Sequence, residues 1–429
     1  MDDWLTEAAK MCTVYRNATL TITAAGASSA EVGCFPRRNL ETYEISTLLD
    51  MPLDETIFVR RALKDTHTLL FATDRDMCDF TDEELSSCPI ITRGWILQER
   101  LLSRRILYCG QEELIWECFD RTTCECTHGD WSHDAQIGVS LAKLKLELHN
   151  LDHGLGDSNG PIHPIRRWTQ IVRIYSSLLF TVATDRLAAI SGIARAFEKP
   201  ENGKYYAGMW VKDIAFQLAW RRVLSVETLE PAAITEARIR GPSWSWASIT
   251  GPIDYLLGIN FSNHRPTIDI QEITTELVGR DPMGAVNGGR IVASAPAVEG
   301  IVRLVPTKEE APKVLDMLVE IDDFRIRAVS DVRQWEKGTD EWQRTEPTHR
   351  LEDGEEVLCV QLLHAVDMDR AWCYNSWLVL QRVSERVEEW RRIGLIHLPE
   401  HRTWKPYAQS QPHRDVLEDR ASSRNVMLV

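Results

Sequence analysis

The sequence predicts a mixed α+β fold, on three observations. A helical stripe in the opening residues runs straight into an alternating strand. Residues 137–225 carry apolar side chains at helical spacing. From Pro242 onward, β-rich runs broken by Gly and Pro take over. These observations divide the 429 residues into four parts: a partial α/β region over 1–120, a helical region over 121–230 packed on it, a mainly antiparallel β region over 231–398, and an aperiodic tail over 399–429 read as mobile.

Between Trp4 and Ala18 the apolar Trp4, Ala8, Met11, Cys12 and Tyr15 share one helical face, and Asp2 and Asp3 suit the positive end of its dipole. Thr19 to Ala25 alternates threonines with Leu20 and Ile22 and reads as a half-buried strand. Trp95 to Leu102 reads as a helix, and two β segments at 105–109 and 113–118 flank Gly110-Gln111 as a tight connection. Leu141, Leu144, Leu148 and Leu151 mark one helix of the middle region; Ile165, Trp168, Val172, Tyr175 and Leu179 mark the next. A third helix follows Thr184, and a fourth carries Ile214 and Leu218. The strands predicted after Pro242 begin with Trp244-Ser245-Trp246, whose indoles would face one side, and run to Leu398.

Forty-nine basic against 64 acidic residues give a net charge of -15, with arginines scattered in pairs, so the concentrated basic face that nucleic acid needs is missing. No window approaches the apolar length of a membrane span. Ten cysteines are too sparse for a disulfide scaffold, and no apolar leader follows the start, so the chain reads as reduced and cytoplasmic. Phosphate-loop, nucleophile-elbow and kinase motifs are absent from the sequence, which leaves an enzymatic reading without motif support.

Several blocks recur in a characteristic order: DWLTEAAKM at 3–11, TITAAGASS at 21–29, GCF at 33–35, RGWILQERLLS at 93–103, RILYCG at 105–110 and LIWEC at 114–118. DRLAAISGIA at 185–194, YAGMW at 206–210 and PSWSWAS at 242–248 follow, with an echo in RRIGLIHL at 391–398. Together these resemble the heterokaryon-incompatibility (HET) domain proteins of filamentous fungi. The family-like positions are Trp4, Arg93, Trp95, Gln98, Glu99, Trp116, Glu117, Asp185, Arg186, Trp244 and Trp246. The family's opening strand block and its Cys-Ile and Gln block have no counterpart before Asp2, so 1–120 is expected to hold the C-terminal part of a HET domain. The resemblance implies fungal allorecognition with programmed cell death, acting through a protein partner or self-association and without a cofactor. It leaves two alternatives: a TIR-like enzyme consuming NAD as substrate through Glu99, or an inactive shortened paralogue.

On the predicted helix Glu99 shares a face with Trp95, Gln98 and Leu102, which would partly bury its carboxylate. Such a group needs a partner, and Arg93, Arg100, Arg104 and Arg105 are near in sequence; the catalytic alternative has it stabilise an oxocarbenium-like ribosyl centre. Cys118, Cys124, Cys126 and His128, with His133 behind, invite a zinc reading, but a single residue between Cys124 and Cys126 does not match structural-site spacing, so no metal is expected. His149 and His153 stand at i and i+4 near a helix end that favours histidine through its dipole, and no HExxH glutamate accompanies them. Trp210, Trp220, Trp244 and Trp246 are expected to form a shared aromatic core.

Overall fold

The computed structural model describes residues 2–27, 29, 31–34, 42–44, 58–60, 88–111, 113–125, 141–153, 163–223, 241–255, 264–306, 314–331, 334–335, 350–367, 372–384, 388–401 and 417–429. Two compact units emerge, one of Thr6–Pro161 and one of Met1–Leu5 with Ile162–Val429. The fold is mixed α+β, as the sequence predicts.

In the first unit, helix α1 (Asp2–Asn17) buries Ala8 and Cys12 and half-buries Met11 and Tyr15, the predicted stripe, while Glu7 and Lys10 pair on the solvent side. Strand β1 (Thr21–Thr23) lies parallel to β2 (Arg105–Cys109), which pairs antiparallel with β3 (Leu114–Cys118), and β3 with β4 (Thr122–Cys124). Among the described residues β1 is the edge of this four-stranded sheet, and Ile22 on it is 56% exposed. Gly26 accepts a close approach of the β2–β3 connection: a Cβ there would stand 2.4 Å from the Gln111 nitrogen. The unit also holds an antiparallel pair of short strands, Thr42–Glu44 with Phe58–Arg60, a 3-10 turn over Pro89–Thr92, helix α2 (Gly94–Leu102) and helix α3 (Leu141–His153).

The second unit begins with α4 (Pro164–Ser176), started by Pro164, whose missing N–H costs nothing in a first turn. Helices α5 (Ala188–Ala194) and α6 (Ile214–Leu218) follow. The predicted strand at Trp244–Trp246 is corrected by the structure. Ser245 accepts the Ala247 N–H at 3.0 Å and donates to the Ala207 carbonyl, starting a 3-10 turn over Trp246–Ser248 instead of a strand. The two indoles therefore part. Trp246 donates to the Gly208 carbonyl at 2.9 Å, and Trp244 donates to the Gly289 carbonyl. Trp168 donates to the same Gly208 oxygen at 2.9 Å, and Trp220 to the Trp244 carbonyl. Trp168, Trp210, Trp220, Trp244 and Trp246 are all fully buried and form the aromatic core; four of the five indole N–H groups have an acceptor, while Trp210 Nε1 meets none among the described residues.

The β region is built from β5 (Asp269–Leu277), β6 (Val286–Pro306), β7 (Val314–Ile321), β8 (Phe324–Ser330), β9 (Glu356–Asp367), β10 (Trp372–Arg382), β11 (Glu389–His401) and β12 (Ser422–Leu428). Antiparallel pairings run β6–β7–β8–β11–β10–β9 and back to β6, which closes a six-stranded ring. One apolar cluster draws on all six strands, including Val302, Val319, Ile326, Cys359, Trp377 and Ile396, and this marks the interior of a small barrel filled by side chains. Residues 417–429, expected within a mobile tail, instead carry Leu417, buried in that cluster, and β12, paired antiparallel with β6 and parallel with β11. The misreading has a cause: β12 reads SSRNVML, in which only Val426 and Leu428 are buried, too short an alternation to register as a strand. Arg392 of β11 is buried against the Trp220 ring, 3.4 Å from its centroid, paired to Asp331 at 2.8 Å and bonded to the Leu218 carbonyl at the end of α6.

Gly208 is the most constrained point of the aromatic core. Its φ of +94° lies in the left-handed region, and a Cβ would stand 2.6 Å from Trp246 Nε1. Gly208→Ala is expected to combine roughly 1–2 kcal/mol of backbone strain with overpacking of about the same size, and chemical denaturation of the variant measures the sum.

Candidate functional site

Strand alternation in β3 turns Ile115 and Glu117 inward and leaves Trp116 half-exposed on the other face. Ile115 joins Ala25, Cys88, Ile91, Ile106 and Tyr108 in the apolar centre of the unit, so the Glu117 carboxylate is carried into a dry interior with 0% exposure. A bare carboxylate there would cost several kcal/mol. Three groups from three elements meet it. Arg100 of α2 reaches Oε2 through Nη2 at 2.7 Å and Nε at 2.9 Å, Lys145 of α3 reaches Oε1 at 3.0 Å, and the Tyr108 hydroxyl of β2 donates to Oε2 at 3.2 Å. Arg100 and Lys145 are themselves 4% and 0% exposed. Burial pushes the Glu117 carboxyl upward, but the charge of Arg100 and then of Lys145 overrules it and holds the group at about 2. Burial also weakens the hold of Lys145 on its proton, against the pull of Glu117.

Glu99, the carboxylate singled out by the sequence, is placed differently. Helix α2 buries Ile96, Leu97, Gln98, Arg100, Leu101 and Leu102, while Trp95 and Glu99 are half-buried one turn apart. Tyr15 of α1 hydrogen-bonds Glu99, Arg93 contributes charge, and Arg100 is committed to Glu117. Burial outweighs both influences and raises the Glu99 carboxyl above its ordinary range. Burial and the adjoining carboxylate likewise raise the Tyr15 phenol. Arg93 is exposed at the N-cap of α2 and makes no side-chain cap.

The remaining family-like positions lie apart from these. Trp4 is in α1. Asp185 is half-buried in a 3-10 turn, and Arg186 beside it is 3% exposed. The Arg186 guanidinium stands 5.4 Å from the Phe180 ring centroid and 5.7 Å from that of Trp246, and its Nε and Nη2 meet no acceptor among the described residues. Tyr175 donates its hydroxyl to the Arg186 carbonyl. Burial lowers the Arg186 pKa to about 10, against a counter-pull from Tyr175. The blocks at 185–194, 206–210 and 242–248 thus converge: Trp246 packs on Arg186 and bonds Gly208.

Cys118 and Cys124 are half-buried on β3 and β4 and form no disulfide; Cys126, His128 and His133 lie outside the described residues. Among the described residues no group of three or more His, Cys, Asp or Glu could hold a metal. The His149 and His153 rings lie 4.2 Å apart between centroids, tilted by 40°, with His153 Nδ1 3.0 Å from the His149 carbonyl.

Residues 1–99 match the family model described as heterokaryon incompatibility protein (HET). Over those 99 of its 429 residues the chain is similar to that family. The match ends on Glu99 inside α2, so the HET segment supplies the first part of that helix and Arg100 follows directly. No curated protein and no solved structure matches this chain. No helix among the described residues is long and apolar enough to cross a membrane.

Sequence reasoning placed Glu117 in a family-like block but did not give it the buried ionic role, and it passed over Lys145. Lys145 follows Leu141 by four positions and precedes Leu148 by three, so it falls on the apolar stripe of α3, and that spacing was the available signal.

Glu117→Gln strands two buried cations and is expected to cost about 3–5 kcal/mol, whereas Lys145→Met keeps the Arg100 pair and should cost under about 2 kcal/mol. The Glu117 carboxyl is depressed in the folded chain, so its contribution is present above the unfolded value of about 4.5 and is lost as pH falls toward about 2. Denaturation of wild type and Glu117→Gln between pH 6 and 2 should show the gap between them closing over that window.

Proposed function

We propose that this chain is a fungal non-self recognition protein of the heterokaryon-incompatibility class, acting through association with a protein partner or a second copy and signalling programmed cell death. The observation that carries the reading is the HET-family match over residues 1–99. The surroundings of that segment support association over catalysis: Glu117 is enclosed by Arg100, Lys145 and Tyr108, and its charge is spent on holding elements together.

A second reading has its own support. A glutamate whose carboxyl is raised by burial while still half-exposed has the profile of a general acid or base, and Glu99 fits that description. Under it the chain would consume NAD, with Glu99 steadying positive charge at the ribosyl carbon.

The two readings separate in one experiment. The full chain and its Glu99→Gln form are expressed in a fungal host, and NAD and viability are followed together. Association predicts equal killing by both forms with NAD unchanged; NAD loss with wild type that falls at least about ten-fold with Glu99→Gln would replace it with the enzymatic reading. Because burial penalises the ionised Glu99, Glu99→Gln should leave the thermal midpoint at pH 7 unchanged or raised, which keeps loss of folding from imitating loss of function.

A further inference from the structure

Among the described residues β5 is an outermost strand of the second unit's sheet: one edge pairs antiparallel with β6, which carries β12 on its other side, and the opposite edge meets no strand. An unpaired edge offers a row of backbone N–H and C=O groups to any strand that can lie beside it. None of the nine residues of β5 is buried, none is proline or lysine, and Leu277 and the adjoining Val278 are 41% and 40% exposed. The strand has one extra residue, Gln271, where the register steps from Ile270–Ala293 to Glu272–Val292; the skip between Glu276–Gly288 and Leu277–Val286 falls on β6. Glu272 to Val278 is therefore an uninterrupted run, with the Val278 N–H bonded to the Ala285 carbonyl at 2.9 Å.

Alternation puts Ile273, Thr275 and Leu277 on one face of this run and Glu272, Thr274, Glu276 and Val278 on the other. A second copy pairing antiparallel across a two-fold axis normal to the sheet sets one residue opposite itself at the axis, so few registers exist within the run. With Glu272 or Glu276 at the axis, a glutamate opposes its own copy. With Thr274 there, Glu272 opposes Glu276 twice, and with Ile273 there, Gln271 interrupts the ladder. Thr275 at the axis escapes all of these. Ile273 then lies opposite Leu277 at both ends, threonine opposite threonine at the centre, Thr274 opposite Glu276 and Glu272 opposite Val278, so no like charges face each other. Glu272 keeps Arg290 at 3.4 Å. We propose that β5 is a self-association edge that joins two copies of the chain in this register and covers Leu277 and Val278. The proposal rests on the association reading above and gives its second-copy form a surface.

Sedimentation of the full chain from about 1 to 200 μM tests it, with a reversible dimer of roughly 10–100 μM dissociation constant expected from so short a ladder. Leu277→Lys, at an exposed position, should weaken that dimer at least about ten-fold, and adding Ile273→Glu should restore most of it, because the two new charges face each other across the axis in this register. That rescue also separates loss of pairing from loss of folding. On mild oxidation Thr275→Cys should cross-link to its own copy beyond the level of wild type, while Thr274→Cys, set opposite Glu276, should not. A dimer that Leu277→Lys leaves intact, or equal cross-linking by both cysteine variants, overturns this edge and register while the association reading stands. A chain monomeric throughout overturns self-pairing and leaves the edge to a strand of another protein; the Glu99→Gln experiment then decides the association reading on its own.

Discussion

A carboxylate carried into a dry interior cannot be left alone, and the first unit is arranged around that constraint. Glu117 is inside because β3 alternates and Ile115 must be inside. Once Glu117 is there, α2 has to present Arg100 and not its neighbour Glu99, which sets the rotation of the helix. Lys145 then fixes where α3 can dock, and Tyr108 fixes the register of β2 against β3. Such clusters often contribute little net stability, because desolvating three charged groups offsets their attraction. What this one supplies is selectivity: a slip of β3 by one residue would put Trp116 inside, leave Arg100 and Lys145 facing an indole, and be rejected.

The second unit solves a different problem, that of burying several indoles whose N–H groups each demand an acceptor. Gly208 offers one carbonyl to both Trp168 and Trp246, and the absence of a side chain there is what lets Trp246 come close enough. Trp244 escapes the shared acceptor by using Gly289, just ahead of the residues of β6 that pair with β12. Arg392 then couples the barrel to this core through the Trp220 ring and the Leu218 carbonyl. Aromatic core and barrel therefore share anchors, which is why the helices of this unit cluster with its β region.

How much of this was legible in the sequence depends on the period being read. Helices α1, α3 and α4 showed themselves through apolar stripes, and the long strands β6, β9, β10 and β11 through sustained β-rich runs. Closure of the ring was not legible, because it rests on two register pairs, Val329 with Leu395 and Ser330 with Gly394, separated by more than 60 positions. Trp244–Trp246 misled because alternation mimicked a strand where the Ser245 hydroxyl was ready to start a turn. Glu117 stayed ambiguous because Leu114, Ile115 and Trp116 are apolar in succession, and three such residues do not say which face is inward. Lys145 was hidden by the ordinary expectation that lysines are solvated.

Setting Glu99 beside Glu117 sharpens what the family-like blocks mean. The two carboxylates end up displaced in opposite directions, Glu117 held low by two cations and Glu99 held high by burial against the pull of its Tyr15 hydrogen bond. Most of the other family-like positions that pack inside are absorbed by structural tasks: Gln98 in the core of α2, Trp244 and Trp246 as satisfied indoles, Arg186 against two rings. A residue that is fully used in holding a fold together has little left to offer a substrate or a partner. By that measure the blocks that reveal the family are a poor guide to its chemistry. The half-exposed Glu99 with its raised carboxyl is where the chain keeps reactivity that its packing has not consumed.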